Sequence, residues 1–255
     1  MMRPILAALM LGAAALPAQA FDPAAMSDTE REAFGAAVRA YLMDNPEVLV
    51  EAITVLEERR LGDEAQTDQA LVAANRDAIF DDGHSWVGGN PEGSLTMVEF
   101  VDYRCSVCRS VYEEVEGIVA SDGDIRFVLK EFPILGQESE MASRFAVAVQ
   151  QIAGEESYKR AHDALMVMGE RVNGDSLTAL AHRLDLDADA ILNRMQTEEV
   201  STVLRANRQL AERMGVMGTP TFVIGNEMLR GVPRGGLEAV IAAIRENAGK
   251  ASPED

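Results

Sequence analysis

The sequence predicts an α/β chain in which a βαβ unit and a later ββα unit are separated by a long helical stretch. Three observations carry that reading. Residues 95–101 (Leu-Thr-Met-Val-Glu-Phe-Val) and 125–130 (Ile-Arg-Phe-Val-Leu-Lys) are apolar runs flanking a segment with Val111, Val115, Ile118 and Val119 at helical spacing. Strand, helix and strand with short connections imply a right-handed crossover between parallel strands. Finally, residues 219–224 (Thr-Pro-Thr-Phe-Val-Ile), the turn pair Gly225-Asn226 and residues 228–230 read as a β-hairpin. A helix over about 236–247 follows, with Leu237, Val240, Ile241 and Ile244 on one face.

In chain order, Met1 to Pro4 form a short basic start, Ile5 to Leu16 an apolar run too short to span a bilayer, and Ala18 and Ala20 small residues at a cleavage position. This predicts a signal peptide over 1–20 and an exported mature chain, in a compartment where disulfides persist. Residues 21–80 read as a helical extension. Ser27 and Glu30 have capping-box spacing, and Phe34, Ala37, Val38, Tyr41 and Leu42 follow at helical spacing. Asn45-Pro46 breaks the pattern and opens a second helix with Val48, Leu49, Ala52, Ile53, Val55 and Leu56. After the charged run 57–60, a third and more polar segment is expected over 63–80. These stripes are too small to bury themselves, so they pack either on another copy of the chain or back on the main domain.

Residues 81–84 and 88–93 are turn-rich and mark entry to the main domain, placed at 81–250. Between the two β-containing units, helices are expected at about 138–152, 155–168, 175–184, 187–195 and 197–214, broken at Gly154, Asn173-Gly174 and 185–187. Residues 251–255 read as a disordered tail.

The formal charge of −19 argues against nucleic acid and anionic membrane as partners. Cys105 and Cys108 are the only cysteines in the 255 residues. At a strand-to-helix junction the first sulfur meets unpaired N–H groups and the positive end of the helix dipole, which favour thiolate. The second lies one turn on and can close a disulfide with the first. A structural disulfide closing so short a loop would remove little chain entropy. A structural zinc site would need about four ligands, and only the scattered His84, His162 and His182 add to the two sulfurs. Thiol–disulfide exchange is therefore the favoured chemistry, and no cofactor or metal enters the reading.

With Cys-x-x-Cys opening the first helix and Thr-Pro introducing the hairpin, the chain resembles the thioredoxin fold, and the helices lodged between the two halves resemble those of the DsbA-like thiol oxidoreductases. The matching residues are Val98-Glu99-Phe100, Cys105-Ser106-Val107-Cys108, Phe132-Pro133-Ile134-Leu135-Gly136 and Gly218-Thr219-Pro220-Thr221, in family order, within residues 80–248. The helical extension makes the chain similar to the ScsC-type, oligomeric members of that group. The resemblance implies Cys105 as the nucleophile, Cys108 as the resolving thiol and Pro220 as a cis-proline facing them. It places Thr219, Ser106 and Val107 where a client chain would bind. It also puts an acid at Glu99, six residues before Cys105 in an apolar strand, where a buried carboxyl would exchange a proton with Cys108. The competing reading of Glu99 is a residue turned to solvent or paired with Lys130.

The pair between the cysteines departs from the family's best-known oxidant, which carries Pro-His there. Ser106 offers a hydroxyl and Val107 neither charge nor donor, so a less stabilised Cys105 thiolate and a less oxidising couple are expected. Arg104 and Arg109 flank the motif and either recover part of that stabilisation by charge or point into solvent, where their effect is screened. The implied partners are exported client proteins with thiols or disulfides and a membrane redox partner, with self-association through 21–80. The implied location is the periplasm. Direction stays open between an oxidase and an oligomeric isomerase or reductase kept reduced by a membrane donor. A non-catalytic chaperone on the same fold is the third reading.

Overall fold

The computed structural model describes residues 25–251. The signal peptide expected at 1–20 lies outside them, as does the expected tail except for Ala251, which ends the last helix. The chain divides into two compact units, one ending at Arg59 and the other beginning at Arg60.

The first unit holds α1 (Asp28–Asp44) and the first half of α2 (Glu47–Ala74). Ser27 and Glu30 form the expected capping box, and α1 ends where both the backbone and the side-chain N–H of Asn45 donate to the Tyr41 carbonyl. No residue of α1 is buried. Along α2, Leu49, Val50, Ile53 and Leu56 are likewise exposed.

The break expected after the charged run 57–60 is absent, and α2 continues to Ala74. A single interior glycine, Gly62, costs only about 1 kcal/mol, and the Arg60–Glu64 pair at 3.2 Å bridges the turn around it. Beyond Arg60 the helix belongs to the second unit. Asp68 holds Arg230 through both carboxylate oxygens, Gln69 donates to Glu227 at 2.8 Å, and Val72 is fully buried. With Ile79 and Phe80 of α3 (Arg76–Phe80) also buried, the compact unit begins well ahead of the boundary expected at 81.

The second unit is built on a five-stranded sheet of β1 (Trp86–Gly89), β2 (Leu95–Val101), β3 (Ile125–Glu131), β4 (Thr221–Ile224) and β5 (Glu227–Arg230), in the order β1-β3-β2-β4-β5. Only β2 and β3 are parallel, joined by α4 (Ser106–Asp122) as the βαβ pattern requires. The second half of β1, Gly88-Gly89, falls in the segment 88–93 expected to be turn-rich. Those glycines are dictated by packing: a Cβ on Gly88 would fall 1.9 Å from the Trp86 indole, and one on Gly89 2.4 Å from the Ile125 carbonyl. The hairpin turn at 225–226 is as expected, with Gly225 at φ +59.

The intervening helices are α5 (Gln137–Val167), α6 (Gly174–Arg183), α7 (Ala188–Arg194) and α8 (Glu198–Arg213), and α9 (Leu237–Ala251) closes the chain. The two helices expected over 138–168 are both present within α5 and meet at Gly154, whose φ of 82 and ψ of −177 are non-helical. Strand alternation splits the core in two. Met97, Val101, Phe127, Leu129, Phe222 and Ile224 pack with α4 to α7 and α9. Val98, Phe100, Val128 and Val223 pack with Val72, Phe80, Leu210 and Met214. Among the described residues, no helix is long and apolar enough to cross a membrane.

Candidate active site

β2 ends at Val101 and three residues deliver the chain to Cys105, the N-cap of α4. All three are pinned by contacts beyond the junction. Asp102, fully buried, accepts the N–H of Arg104 at 2.8 Å on one oxygen and those of Ile134 (2.8 Å) and Leu135 (3.1 Å) on the other, tying the 132–136 loop beside the cysteines. Tyr103 sends its hydroxyl into the core, to Glu131 at 2.6 Å and His162 Nδ1 at 3.1 Å. Arg104 reaches Glu138 at 3.5 Å and the Glu170 carbonyl at 3.4 Å.

Cys105 and Cys108 are free thiols. Cys105 keeps 6 % exposure and Cys108 none. The Cys105 sulfur lies 3.5 Å from the Cys108 N–H, the position of a side-chain N-cap, and 3.1 Å from the Thr219 carbonyl, to which its thiol donates. The Thr219–Pro220 bond is cis, and Pro220 is buried beside the pair. Ser106 and Val107 are exposed, as is Met217 ahead of the Thr-Pro segment. The motif thus sits in a surface of exposed apolar side chains. The sequence reading is corrected in two details. The Ser106 hydroxyl makes no hydrogen bond to sulfur among the described residues; the helix N–H does. Arg104 and Arg109 do not serve the thiolate, since Arg109 donates to the Met166 carbonyl at 2.9 Å and both arginines bind the inserted helices.

Glu99 is buried on the same sheet face as the cysteines, opposite Leu129 and Phe222 in register. Lys130 pairs with Phe100 and so points to the other face, which removes it as a partner. Among the described residues the Glu99 carboxyl has no hydrogen-bond or ion-pair partner. Burial first, then the charges of Glu116 and Cys105, push it up to about 8. Burial and then Glu99 also hold the Cys108 thiol well above its ordinary value.

A second buried acid was missed by sequence reasoning. Glu131 stands at the end of β3 in register with Val101, and one of its oxygens accepts the hydroxyls of Tyr103 and Tyr158, each at 2.6 Å. Burial raises it to about 7, with the tyrosines pulling the other way. His162 packs between three tyrosines, and burial lowers it to about 3, so it is neutral. Its ring nitrogen also lies within 4.8 Å of carboxylate oxygens of Glu116 and Asp163. The Lys159 ammonium already bridges those two acids, at 3.0 and 2.5 Å, which accounts for the cluster without a metal.

Residues 96–236 match the family model of the DSBA-like thioredoxin domain, and residues 30–60 that of the copper resistance protein ScsC N-terminal domain. The fold is similar to that of a thioredoxin-like oxidoreductase from Silicibacter pomeroyi DSS-3, at 36 % identity and TM-score 0.63, over 70 % of this chain and 99 % of that one. It is also similar to Proteus mirabilis ScsC in a transitional conformation, at 27 % identity and TM-score 0.62, over 87 % and 98 %. Among curated proteins, the Na(+)/H(+) antiporter NhaA 3 of Salinispora tropica is 25 % identical over 185 residues, and this chain spans only 28 % of its length. With the family model covering the whole βαβ-to-hairpin region, and the two thiols, the cis Thr219–Pro220 bond and the inserted helices all in place, the chain belongs to the DSBA-like thioredoxin domain family of thiol–disulfide oxidoreductases.

Proposed function

We propose that the chain is an exported thiol–disulfide oxidoreductase that exchanges disulfides with folding periplasmic proteins through Cys105-Ser106-Val107-Cys108. The observation that carries this reading is the Cys105 sulfur, capping α4 at 3.5 Å from the Cys108 N–H and standing 3.1 Å from the Thr219 carbonyl. A sulfur so placed stands at the start of a helix, next to the backbone N–H of Cys108, and the exposed residues around it give an extended client backbone room to lie along Thr219.

Acting on a client disulfide, the Cys105 thiolate attacks one sulfur, the other leaves as thiolate, and a mixed disulfide forms. Cys108 then gives its proton to the ionised Glu99 and attacks the Cys105 sulfur, so the client departs as a thiolate and the Cys105–Cys108 disulfide closes. In the oxidising direction the steps reverse: a client thiolate attacks Cys105, the Cys108 thiolate leaves and takes a proton from Glu99. A second client thiol completes the client disulfide, and a membrane redox partner restores the active-site disulfide by accepting two electrons. Buried Cys108 needs this relay, because its thiol resists ionisation.

The exposed apolar residues of the first unit, Val38, Tyr41, Leu49, Ile53 and Leu56, favour a second reading. Self-association through 21–80 would cover them and bring several active sites together, the plan of an oligomeric isomerase kept reduced by a membrane donor. Dithiol-driven insulin reduction tests the shared core of both readings. Cys105→Ser and Cys108→Ser are each expected to abolish it, and full activity in both variants would overturn catalysis in favour of a non-catalytic chaperone. Light scattering, with refolding of a scrambled disulfide substrate, separates the readings: an oligomer that refolds it is an isomerase, and a monomer that does not is an oxidase.

A further inference from the structure

The Glu99 relay has a requirement that Glu99 alone does not meet. A carboxyl with no hydrogen-bond partner and only 4 % exposure must still change protonation within the pH range in which the protein works. Along α4, Cys108, Tyr112 and Glu116 follow one another at four-residue spacing, on one face of the helix. Glu116 is half-buried, lines a cavity of about 310 Å³ with Lys159, Trp86 and Phe127, and pairs with Lys159 of α5 at 3.0 Å. Phe127 and Leu129 share one face of β3, and Leu129 is the register partner of Glu99, so this cavity lies against the same face of the sheet.

We propose that the Glu116–Lys159 ion pair is a positioning element of the exchange reaction, setting the pH range over which Glu99 takes the proton of Cys108. The inference rests on the relay reading and deepens it. After burial, Glu116 is the strongest influence holding Glu99 up, ahead of Cys105. The other groups facing this region are accounted for. From α4 come Cys105, Cys108 and Tyr112. From α5 come neutral His162 and Asp163, the latter held by Tyr112 at 2.6 Å and by Lys159 at 2.5 Å. From the sheet, β3 brings Glu131 two positions on from Leu129 on the same face, its carboxyl held by the Tyr103 and Tyr158 hydroxyls, and Leu129 and Phe222 lie directly beside Glu99. Lys159 is thus shared between two acids, and Glu116 keeps an uncompensated part of its charge to act on Glu99.

The test is the rate at which the mixed disulfide with a model peptide resolves, followed by stopped flow from pH 5 to 9.5 on the full chain. Ionised Glu99 is the base, so the rate rises with pH through its titration. Glu116→Gln removes a like charge and is expected to move that inflection down by about half a unit or more. Lys159→Met unmasks two carboxylates and is expected to move it up, and Glu116→Asp to restore the wild-type position. A purely structural role for the pair does not produce shifts of opposite sign. Unchanged inflections, or shifts in the same direction, would overturn the inference, provided that Glu99→Gln abolishes the inflection. An inflection that survives in Glu99→Gln overturns the relay itself, and this inference with it.

Discussion

Glu99 and Lys130 sit on adjacent strands of one sheet, both buried, on opposite faces. Lys130 is fully partnered: its ammonium donates to the Ala78 carbonyl at 2.8 Å and pairs with Asp82, which also accepts from the His84 and Ser85 N–H groups and the Ser85 hydroxyl. Burial pushes the Asp82 carboxyl up, but the bonds from His84 and Lys130 outweigh it and hold the group ionised. Glu99 has no such partner, so burial decides its state and leaves it poised near neutral pH. The pairing makes Lys130 a pin for the segment between α3 and β1. Its absence leaves Glu99 free to gain and lose a proton, at a cost in stability.

The largest expected effect breaks the pinned side. Lys130→Met leaves the Asp82 carboxylate buried without its cation and is expected to cost about 3–5 kcal/mol in urea unfolding. The unpinned side responds in the opposite sense. Glu99 titrates near 8 when folded and near its ordinary 4.5 when unfolded, so between those values the folded state holds the extra proton and stability falls as pH rises. Glu99→Gln removes that loss and is expected to stabilise the protein by about 3 kcal/mol at pH 7 and by almost nothing at pH 4.5, while slowing exchange. A gain independent of pH would contradict the assignment.

Glu131 is intermediate, buried but held by two hydroxyls, and Tyr103→Phe removes one of them. The cost is expected to be about 1–3 kcal/mol and larger at pH 8 than at pH 6, because the hydroxyl supports the ionised form. Smallest of all is Arg104→Ala. Its contacts with Glu138 and the Glu170 carbonyl lie near the surface, and the change is expected to shift unfolding by less than about 1 kcal/mol.

Much of this was legible in the chain because it is local. The strand-to-helix junction at Cys105, the capping box at Ser27, the hairpin at Gly225-Asn226 and the glycine break at 154 are each written in a few consecutive residues. Glu99 stood out as one charge in an apolar strand, but only the register, which sends Lys130 to the opposite face, decided between a lone acid and an ion pair. What was illegible depends on distant residues meeting. β1 is four residues with two glycines, shaped by the Trp86 ring and the Ile125 carbonyl. Tyr103 finds Glu131 from 28 positions away, and Glu116 finds Lys159 across two helices. The continuation of α2 past Gly62 was also hidden, since the Asp68–Arg230 pair that anchors it spans 162 positions.

The division of labour between the two sulfurs is tested most directly by trapping. Cys105→Ser and Cys108→Ser proteins are incubated with a disulfide-bonded peptide, and the adducts are mapped by mass spectrometry. Cys105, slightly exposed and capping the helix, is predicted to give a stable adduct in Cys108→Ser, with none on Cys108 in Cys105→Ser. An adduct on Cys108 alone, or equal adducts on both, would contradict the account.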